Sequence, residues 1–457
     1  MRCRVCVPCL SCFHYFFMLP KSKILSILLT LVAILASTAR PARALTLDQA
    51  VASALRNNLD LRAAYFEVEK ARGRLIQAGL WPNPELQFSS TTDRTFKNEG
   101  ERTSTAGFQQ AFPISGRLHF AKQVSRVDLA QAMAEIRNRE RLLIGEVERD
   151  FLTVLLLRQQ IAANREFIGA NREFVNVFEE RLKRAEVSEV DVNLARVEMQ
   201  RLELESTLLE ADLSAREYSL KLRLGIPPEQ PVAVEGNLEA LVARFAPERY
   251  ETSMFVNRPD LRQTELGIDR ANAEVRLARA EAWADWTLGS DYQSERRVDD
   301  PFGVRTDPSF AFRISIPLAI WNHNQGRVYE QRAAADQARQ QVEALRLSIR
   351  SEIATGLARA KKLREVVRTY SGKLLPSLTL TTDLVRKGYA EGLVAPAQII
   401  QAQQQRATLR TAFLGANTSY VQALVDLETA TASSPFLKKD FFISRESREK
   451  HVETYRK

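Results

Sequence analysis

The sequence predicts a mainly α protein that also carries the strands of a membrane β-barrel, with one structural unit written twice. Three observations predict this class. No proline occurs between Pro113 and Pro227, and apolar residues there recur at alternating steps of four and three. Four short stretches, 85–92, 103–114, 286–294 and 309–318, alternate apolar and polar residues with the period of a strand. Finally, Asn57-Asn58-Leu59-Asp60-Leu61-Arg62 returns as Asn257-Arg258-Pro259-Asp260-Leu261-Arg262, and repeats at such a spacing govern the whole architecture.

The first 44 residues read as a targeting segment. Lys21 and Lys23 precede the apolar run 24–36, and Ala42-Arg43-Ala44 is a small-residue cleavage site that leaves Leu45 as the mature N-terminus. That run falls short of the roughly 20 residues a spanning helix needs. A start at Met18 would leave residues 1–17 upstream, together with Cys3, Cys6, Cys9 and Cys12, so the mature chain is expected to be free of cysteine. The same segment holds Arg2, Arg4, Lys21, Lys23, Arg40 and Arg43, which carry +6 of the net +9 and leave +3 for the rest. So mild an excess excludes the charge footprint of a nucleic-acid binder.

The mature chain then falls into two repeats, 45–245 and 246–432, and a charged tail, 433–457. In the first, a short amphipathic helix (47–57) and a second one (59–80) lead to Trp81-Pro82-Asn83-Pro84, where two prolines stop the α ladder. A β-hairpin follows, about 85–114, with a polar loop at 93–102. The long helix spans about 117–184. Its seam is Leu129, Met133, Ile136, Leu143, Val147, Val154, Leu157, Ile161, Ile168, Val175, Phe178 and Leu182, with Glu140, Asp150, Asn164 and Asn171 as polar exceptions. A period of 3.5 predicts a supercoiled rod with a narrow apolar stripe. At about 1.5 Å per residue the rod reaches roughly 100 Å, too long for the core of one compact domain. Gly145 and Gly169 are its only strong breakers, each costing about 1 kcal/mol against alanine. A tip at 185–188 reverses the chain into a return helix, 189–224, whose seam is Val190, Leu194, Val197, Leu204, Leu208, Ala211, Ala215, Tyr218 and Leu222.

The second repeat has a helix at 260–283 and strands within about 286–318, separated by a polar loop at 295–308. A long helix follows at about 326–387 with a kink at Pro376, then a tip at 391–395 and a last helix at 396–431. Each hairpin strand is near the length of about 9–11 residues that crosses a bilayer when tilted. Two hairpins give four strands, and membrane barrels begin at about eight. The strands must therefore be pooled between chains. Two chains would make a barrel filled by its own side chains, whereas three give twelve strands and an open conduit.

The chain resembles the TolC family of outer-membrane efflux proteins over nearly all of its mature length. The resemblance rests on Asp60-Leu61-Arg62, on Pro82-Asn83-Pro84 before the first strand, on the stretch 257–262, and on the tip Gly392-Leu393-Val394-Ala395. Within the family, Pro317-Leu318-Ala319-Ile320-Trp321-Asn322-His323-Asn324-Gln325-Gly326 is similar to a P-L-x-x-[F/W]-N-R-N-Q-G stretch of the CzcC-like heavy-metal branch, with His323 in place of the usual Arg. The first-half counterpart, Pro113-Ile114-Ser115-Gly116-Arg117, departs from that branch's E-L-G-G-K-R.

The resemblance implies a TolC-like homotrimer. A twelve-stranded β-barrel would sit in outer-membrane lipid and a long α-helical barrel would cross the periplasm, with a mixed equatorial region between. It implies an exit duct fed by an inner-membrane RND-type pump through a periplasmic adaptor, with divalent heavy-metal cations as cargo. A multidrug or type I protein-secretion duct of the same family is the alternative, and a soluble periplasmic coiled-coil scaffold is the rival of a different class.

Candidate sites follow from this layout. Ala185, Glu186, Val187 and Ser188 at one tip, and Gly392, Leu393, Val394 and Ala395 at the other, are expected to dock the adaptor. Glu186, Arg386, Lys387 and Glu391 are candidates for gating ion pairs. His119 and His323 each lie six residues after the proline that ends a hairpin and are the candidates for metal ligation, histidine being a common ligand. The sequence has no G-x-S-x-G, no H-E-x-x-H and no phosphate loop. Its four histidines, at 14, 119, 323 and 451, are scattered. Neither catalysis nor a cofactor is expected.

Overall fold

A computed structural model describes residues 44–93, 100–245, 247–251, 253–299 and 301–437. The expected targeting segment up to residue 43, the four cysteines, His14, His451, much of the first polar loop and the tail beyond Leu437 lie outside the described residues.

The chain opens on β1 (Ala44–Leu45), followed by α1 (Leu47–Asn57) and α2 (Leu59–Gln77). Thr46 starts α1 with a capping box, its hydroxyl accepting from the Gln49 N–H while the Gln49 side chain accepts from the Thr46 N–H. The first hairpin is β2 (Glu85–Thr92) and β3 (Arg102–Phe112); α3 (Arg117–Lys183) is the rod and α4 (Glu189–Leu224) the return helix. At the end of the first repeat lie β4 (Ala233–Val234), which pairs in parallel with β1, and α5 (Leu238–Arg244). Neither was expected, because strands of two residues and a helix of seven carry no measurable period. The second half runs α6 (Pro259–Ala280), β5 (Trp286–Asp299), β6 (Gly303–Ser315), α7 (Gln325–Thr369), α8 (Leu375–Ala390) and α9 (Pro396–Thr431).

The expected kink at Pro376 is a π-helical turn, Tyr370–Leu374, between α7 and α8. Pro376 offers no N–H to the carbonyl four residues back and its ring crowds that carbonyl, and the wider turn accommodates both.

Three left-handed residues in the first half have counterparts in the second. Gly116 and Asn324 precede the two long helices, Ala185 and Gly392 turn the two tips, and Gly225 and Ala432 end the two return helices, all with φ between 52° and 76°. The recurring 57–62 and 257–262 stretches also act alike. The Asn58 side chain donates to the carbonyl of Arg223 at 3.0 Å, and the Arg258 guanidinium donates to the carbonyl of Ala430 at 2.8 Å. Each stretch thus ties the start of a short helix to the open carbonyl end of the return helix in its own half. Gly225 is needed for this approach, since a Cβ there would stand 2.3 Å from the Asn57 carbonyl oxygen.

Two expectations change on the structure. The middle of the rod is not a narrow stripe. From Leu143 to Leu157, α3 is buried nearly all round by α1, by the ends of α4 and α9, and by Val234, Phe245 and Phe436. Phe151, Leu152 and Leu156 are fully buried there, each contributing about 1.5–3 kcal/mol. The seam's polar exceptions are all partnered. Asp150 accepts from Ser219 at 2.8 Å and Arg223 at 2.6 Å, Glu140 from Tyr65 and Arg137, while Asn164 donates to the Leu202 carbonyl at 3.0 Å and Asn171 to the Phe167 carbonyl.

The second hairpin is longer than expected. Within the stretch read as a polar loop, residues 295–299 and 303–308 continue the two strands, with Glu295 opposite Asp307, Arg296 opposite Thr306 and Arg297 opposite Arg305. Arg297 pairs with Glu295 and Arg305 with Asp307, each at 2.7 Å along one strand, so charged side chains line a paired backbone that composition alone reads as loop. Pro308 sits in β6, opposite Ser294.

Below the central core the wall of helices runs α4, α3, α9, α8, which leaves α4 and α8 as open edges. The return-helix seam lies on the first of these. α4 packs on α3 through Val192, Ala195, Leu202, Leu220 and Leu224, while Val190, Leu194, Val197, Leu204, Leu208, Tyr218 and Leu222 are exposed.

Candidate functional site

The four long strands form one antiparallel sheet in the order β2-β3-β5-β6. Because side chains alternate, the register decides what each face shows. Tyr292 lies opposite Phe310 and Ala106, Ser290 opposite Phe312 and Phe108, and Leu288 opposite Ile314 and Gln110. Leu86 and Phe88 continue the same face through Phe108 and Ala106. One face is therefore apolar, and its large side chains are exposed on the chain, Phe312 by 82% and Phe88 by 77%. It carries no charge until Arg102 and Arg296 at the far end. The other face holds Glu85, Gln87, Thr105, Gln109, Asp291, Gln293 and Arg313. There Arg313 donates to Asp291 at 2.6 Å, in space that a side chain at Gly107 would fill. An apolar outer face and a polar inner face are what a lipid-embedded, water-filled barrel requires. Both edges of the sheet, β2 and β6, are open. Among the described residues no helix is long and apolar enough to cross a membrane.

Where strands meet helices, the chain places all four of its tryptophans, Trp81, Trp283, Trp286 and Trp321. Trp81 packs edge-on against Phe112 with ring centres 6.0 Å apart. In the 317–326 stretch, the Asn324 side chain donates to the Ala278 carbonyl at 3.1 Å and its backbone N–H donates to the Asn322 side chain at 3.1 Å, which anchors the start of α7 to the end of α6. His323 is exposed, and its backbone N–H donates to the Gln325 side chain at 3.0 Å. His119 is exposed and bonded to Gln123 at 2.7 Å. Among the described residues no three His, Cys, Asp or Glu side chains gather as a metal site.

At the opposite end of the rod the two tips share one apolar cluster. Val175, Phe178, Val187, Val192, Tyr389, Ile399 and Ile400 are buried in it, and Val394 packs against it. Phe178 and Tyr389 have ring centres 5.7 Å apart, and the Arg181 guanidinium lies 4.6 Å over Tyr389. Sequence reading missed this aromatic set; Phe174 and Phe178, one helical turn apart and just before the turn, were its signal. The eight tip residues therefore divide. Val187 and Val394 face inward, whereas Ala185, Glu186, Ser188, Gly392, Leu393 and Ala395 are exposed, Leu393 by 78%. Ser188 caps α4 through Asp191. Of the gating candidates, Glu186 pairs with Arg181 at 3.8 Å within its own tip. Arg386, Lys387 and Glu391 are exposed and make no ion pair among the described residues.

Residues 50–225 and 253–433 match the family described as outer membrane efflux protein. The chain belongs to that family. The match divides at the boundary between the two α-β-α passes. Among curated relatives, the cobalt-zinc-cadmium resistance protein CzcC of Cupriavidus metallidurans is 27% identical over 391 residues, 84% of this chain and 89% of that protein. The cation efflux system protein CusC of Escherichia coli K12 is 22% identical over 390 residues, 84% of this chain and 85% of that one. The pyoverdine export outer membrane protein OpmQ of Pseudomonas putida is 24% identical over 411 residues, 83% and 85% of the two chains. A crystal structure of CusC superposes with a TM-score of 0.72 at 21% identity, covering 84% of this chain and 91% of that one; the Campylobacter jejuni CmeC outer membrane channel gives 0.67 at 16%, covering 88% of each. The fold is thus TolC-like, and the chain is an outer membrane efflux channel that reaches into the periplasm. In this family setting the amphipathic sheet is the chain's share of the outer-membrane barrel, and the paired tips are its periplasmic end.

Proposed function

We propose that this efflux channel works as a homotrimer and is the passive exit duct of a tripartite system for divalent heavy-metal cations. Three chains would close the sheet at the open edges of β2 and β6 into twelve strands, and the helical wall at α4 and α8. The exposed α4 seam, Val190, Leu194, Val197, Leu204, Leu208, Tyr218 and Leu222, supports closure by a second copy in a head-to-tail ring. An RND-type pump in the inner membrane supplies the energy, and a periplasmic adaptor docks on the exposed tip residues Ala185, Glu186, Ser188, Gly392, Leu393 and Ala395.

The observation that carries the metal reading is the 27% identity to a cobalt-zinc-cadmium resistance protein along nearly the whole chain, joined to the 317–326 stretch. The second reading is export of an organic molecule, and the similarity to a pyoverdine export protein favours it. A deletion strain grown on zinc, cobalt, cadmium, copper and a drug panel separates the two. Metal sensitivity restored by the intact gene is the expected outcome. Sensitivity to drugs alone would sink the metal reading.

A further inference from the structure

The central core holds an acid with no visible partner. Glu148 lies on α3 between Ile144, Val147, Phe151 and Leu152, and is 1% exposed. Both of its carboxyl oxygens are buried without a hydrogen bond. A second acid, Glu428 on α9, is 3% exposed in the same region. Among the described residues, several groups lie near enough to act on this pair. They are Asp48 on α1, Arg244 at the end of α5, Arg249 and Tyr250 in the turn that follows, and Ser434 after α9. Arg244 is already engaged, donating to Asp48 at 3.1 Å. Tyr250 is 8% exposed, and the Ser434 hydroxyl is buried without a hydrogen bond of normal geometry. A carboxylate buried in apolar surroundings with no donor is costly, and the cheapest remedy is to keep its proton.

We propose that Glu148 is held as the neutral acid in the same buried region as Glu428, and that this pair is a proton-dependent latch. The latch lies where both ends of the described chain, α1 and Phe436 after α9, pack on the rod. Burial pushes the Glu148 carboxyl well above the usual carboxylate range, and the Glu428 charge adds to that push. Burial raises Glu428 as well, against the opposing charge of Arg244. In the window between the unfolded and folded values the folded chain keeps a proton that the unfolded chain has lost. Unfolding then releases a proton, so stability falls as pH rises through that window and is fully present only below it.

The test uses the purified full-length channel in detergent, melted at a series of pH values from about 5 to about 9. Glu148→Gln keeps the shape and the neutral state. The gap in melting temperature between this variant and the wild type should widen in the variant's favour as pH rises. Hydrogen exchange in 245–251 and 433–437 should quicken with pH, beyond the intrinsic rise, in the wild type only. A second readout does not depend on the variant folding. The infrared carbonyl band of a protonated carboxylic acid should persist at neutral pH in the wild type, and Glu428→Gln should lower the pH at which it vanishes. A melting gap that does not change with pH, or no such band at neutral pH, overturns the proposal. So does stabilisation of the wild type, but not of Glu148→Gln, by added calcium or magnesium, since a cation and not a proton would then fill the site.

Discussion

At the scale of single residues, the two glycines of the rod look alike in sequence and differ in the fold. Each costs the helix about 1 kcal/mol against alanine. A Cβ at Gly145 would stand 2.2 Å from the Thr429 hydroxyl and 3.1 Å from its methyl, so α9 can lie this close only because residue 145 has no side chain. At Gly169 nothing lies within 4 Å. Gly145→Ala should therefore lower stability by about 1–3 kcal/mol, because overpacking outweighs the propensity gain. Gly169→Ala should raise it by up to about 1 kcal/mol. Melting temperatures of the two variants check this, and equal shifts would contradict it. The tips divide on the same principle. Leu393 is exposed, whereas Val394 packs against the tip cluster so closely that its methyl would lie 2.6 Å from a Cβ at Gly388. If the proposed adaptor docks here, Leu393→Glu should abolish its cross-linking and leave the melting temperature unchanged. Val394→Glu should cost about 1–3 kcal/mol by burying a charge, whatever it does to docking. Sequence alone located both tips, through their turn residues. It could not say which apolar side chain points inward, because that depends on how the two tips meet.

At the scale of elements, the helices were legible wherever a strong stop bounded them. Ser188 and Gly225 delimit α4, Pro396 begins α9, and the observed ends fall on the expected residues. The second hairpin was legible only over its apolar inner half. Its outer half is held by a paired backbone and charged neighbours, and polar composition imitates a loop. The rod's mid-section was misjudged for the opposite reason. Its seam has the period of a coiled coil throughout, but Ile144, Phe151, Leu152 and Leu156 fill the remaining sides only where α1 and the chain ends converge. α4 gives the clearest element-scale prediction. Leu204 and Leu208 are 68% and 69% exposed, so charging them removes little packing within one chain. Leu204→Glu with Leu208→Glu should leave helix content intact by circular dichroism and convert trimers to monomers in light scattering. Intact trimers would show that the α4 edge lies outside the subunit interface.

At the scale of the whole molecule, what needs explaining is how a chain that is mostly helix takes up a fixed depth in a membrane. The charge-free apolar face runs from the row of Phe112 and Trp286 to the row of Ser104 and Ser294, just inside Arg102 and Arg296. That is about 9 residues per strand, the span of a tilted strand across the hydrocarbon layer. Polar and charged rows bound it on the outer side. On the helix side the boundary is aromatic, with Trp81 61% exposed, Trp283 55%, Trp286 38% and Trp321 84%. Tryptophan prefers the interface, where its ring is apolar and its N–H is wet, so a girdle at one level resists sliding in either direction. All four tryptophans of the chain lie at that level, which makes fluorescence a direct depth gauge. In reconstituted vesicles, lipids brominated near the headgroup should quench the emission strongly, and lipids brominated near the bilayer centre only weakly. Replacing Trp321 by Ala should remove the largest exposed share of the signal and loosen the depth, seen as a broader quenching profile. Strongest quenching from the bilayer centre would mean that the strand-to-helix junction lies inside the hydrocarbon and that the apolar face has been assigned to the wrong depth.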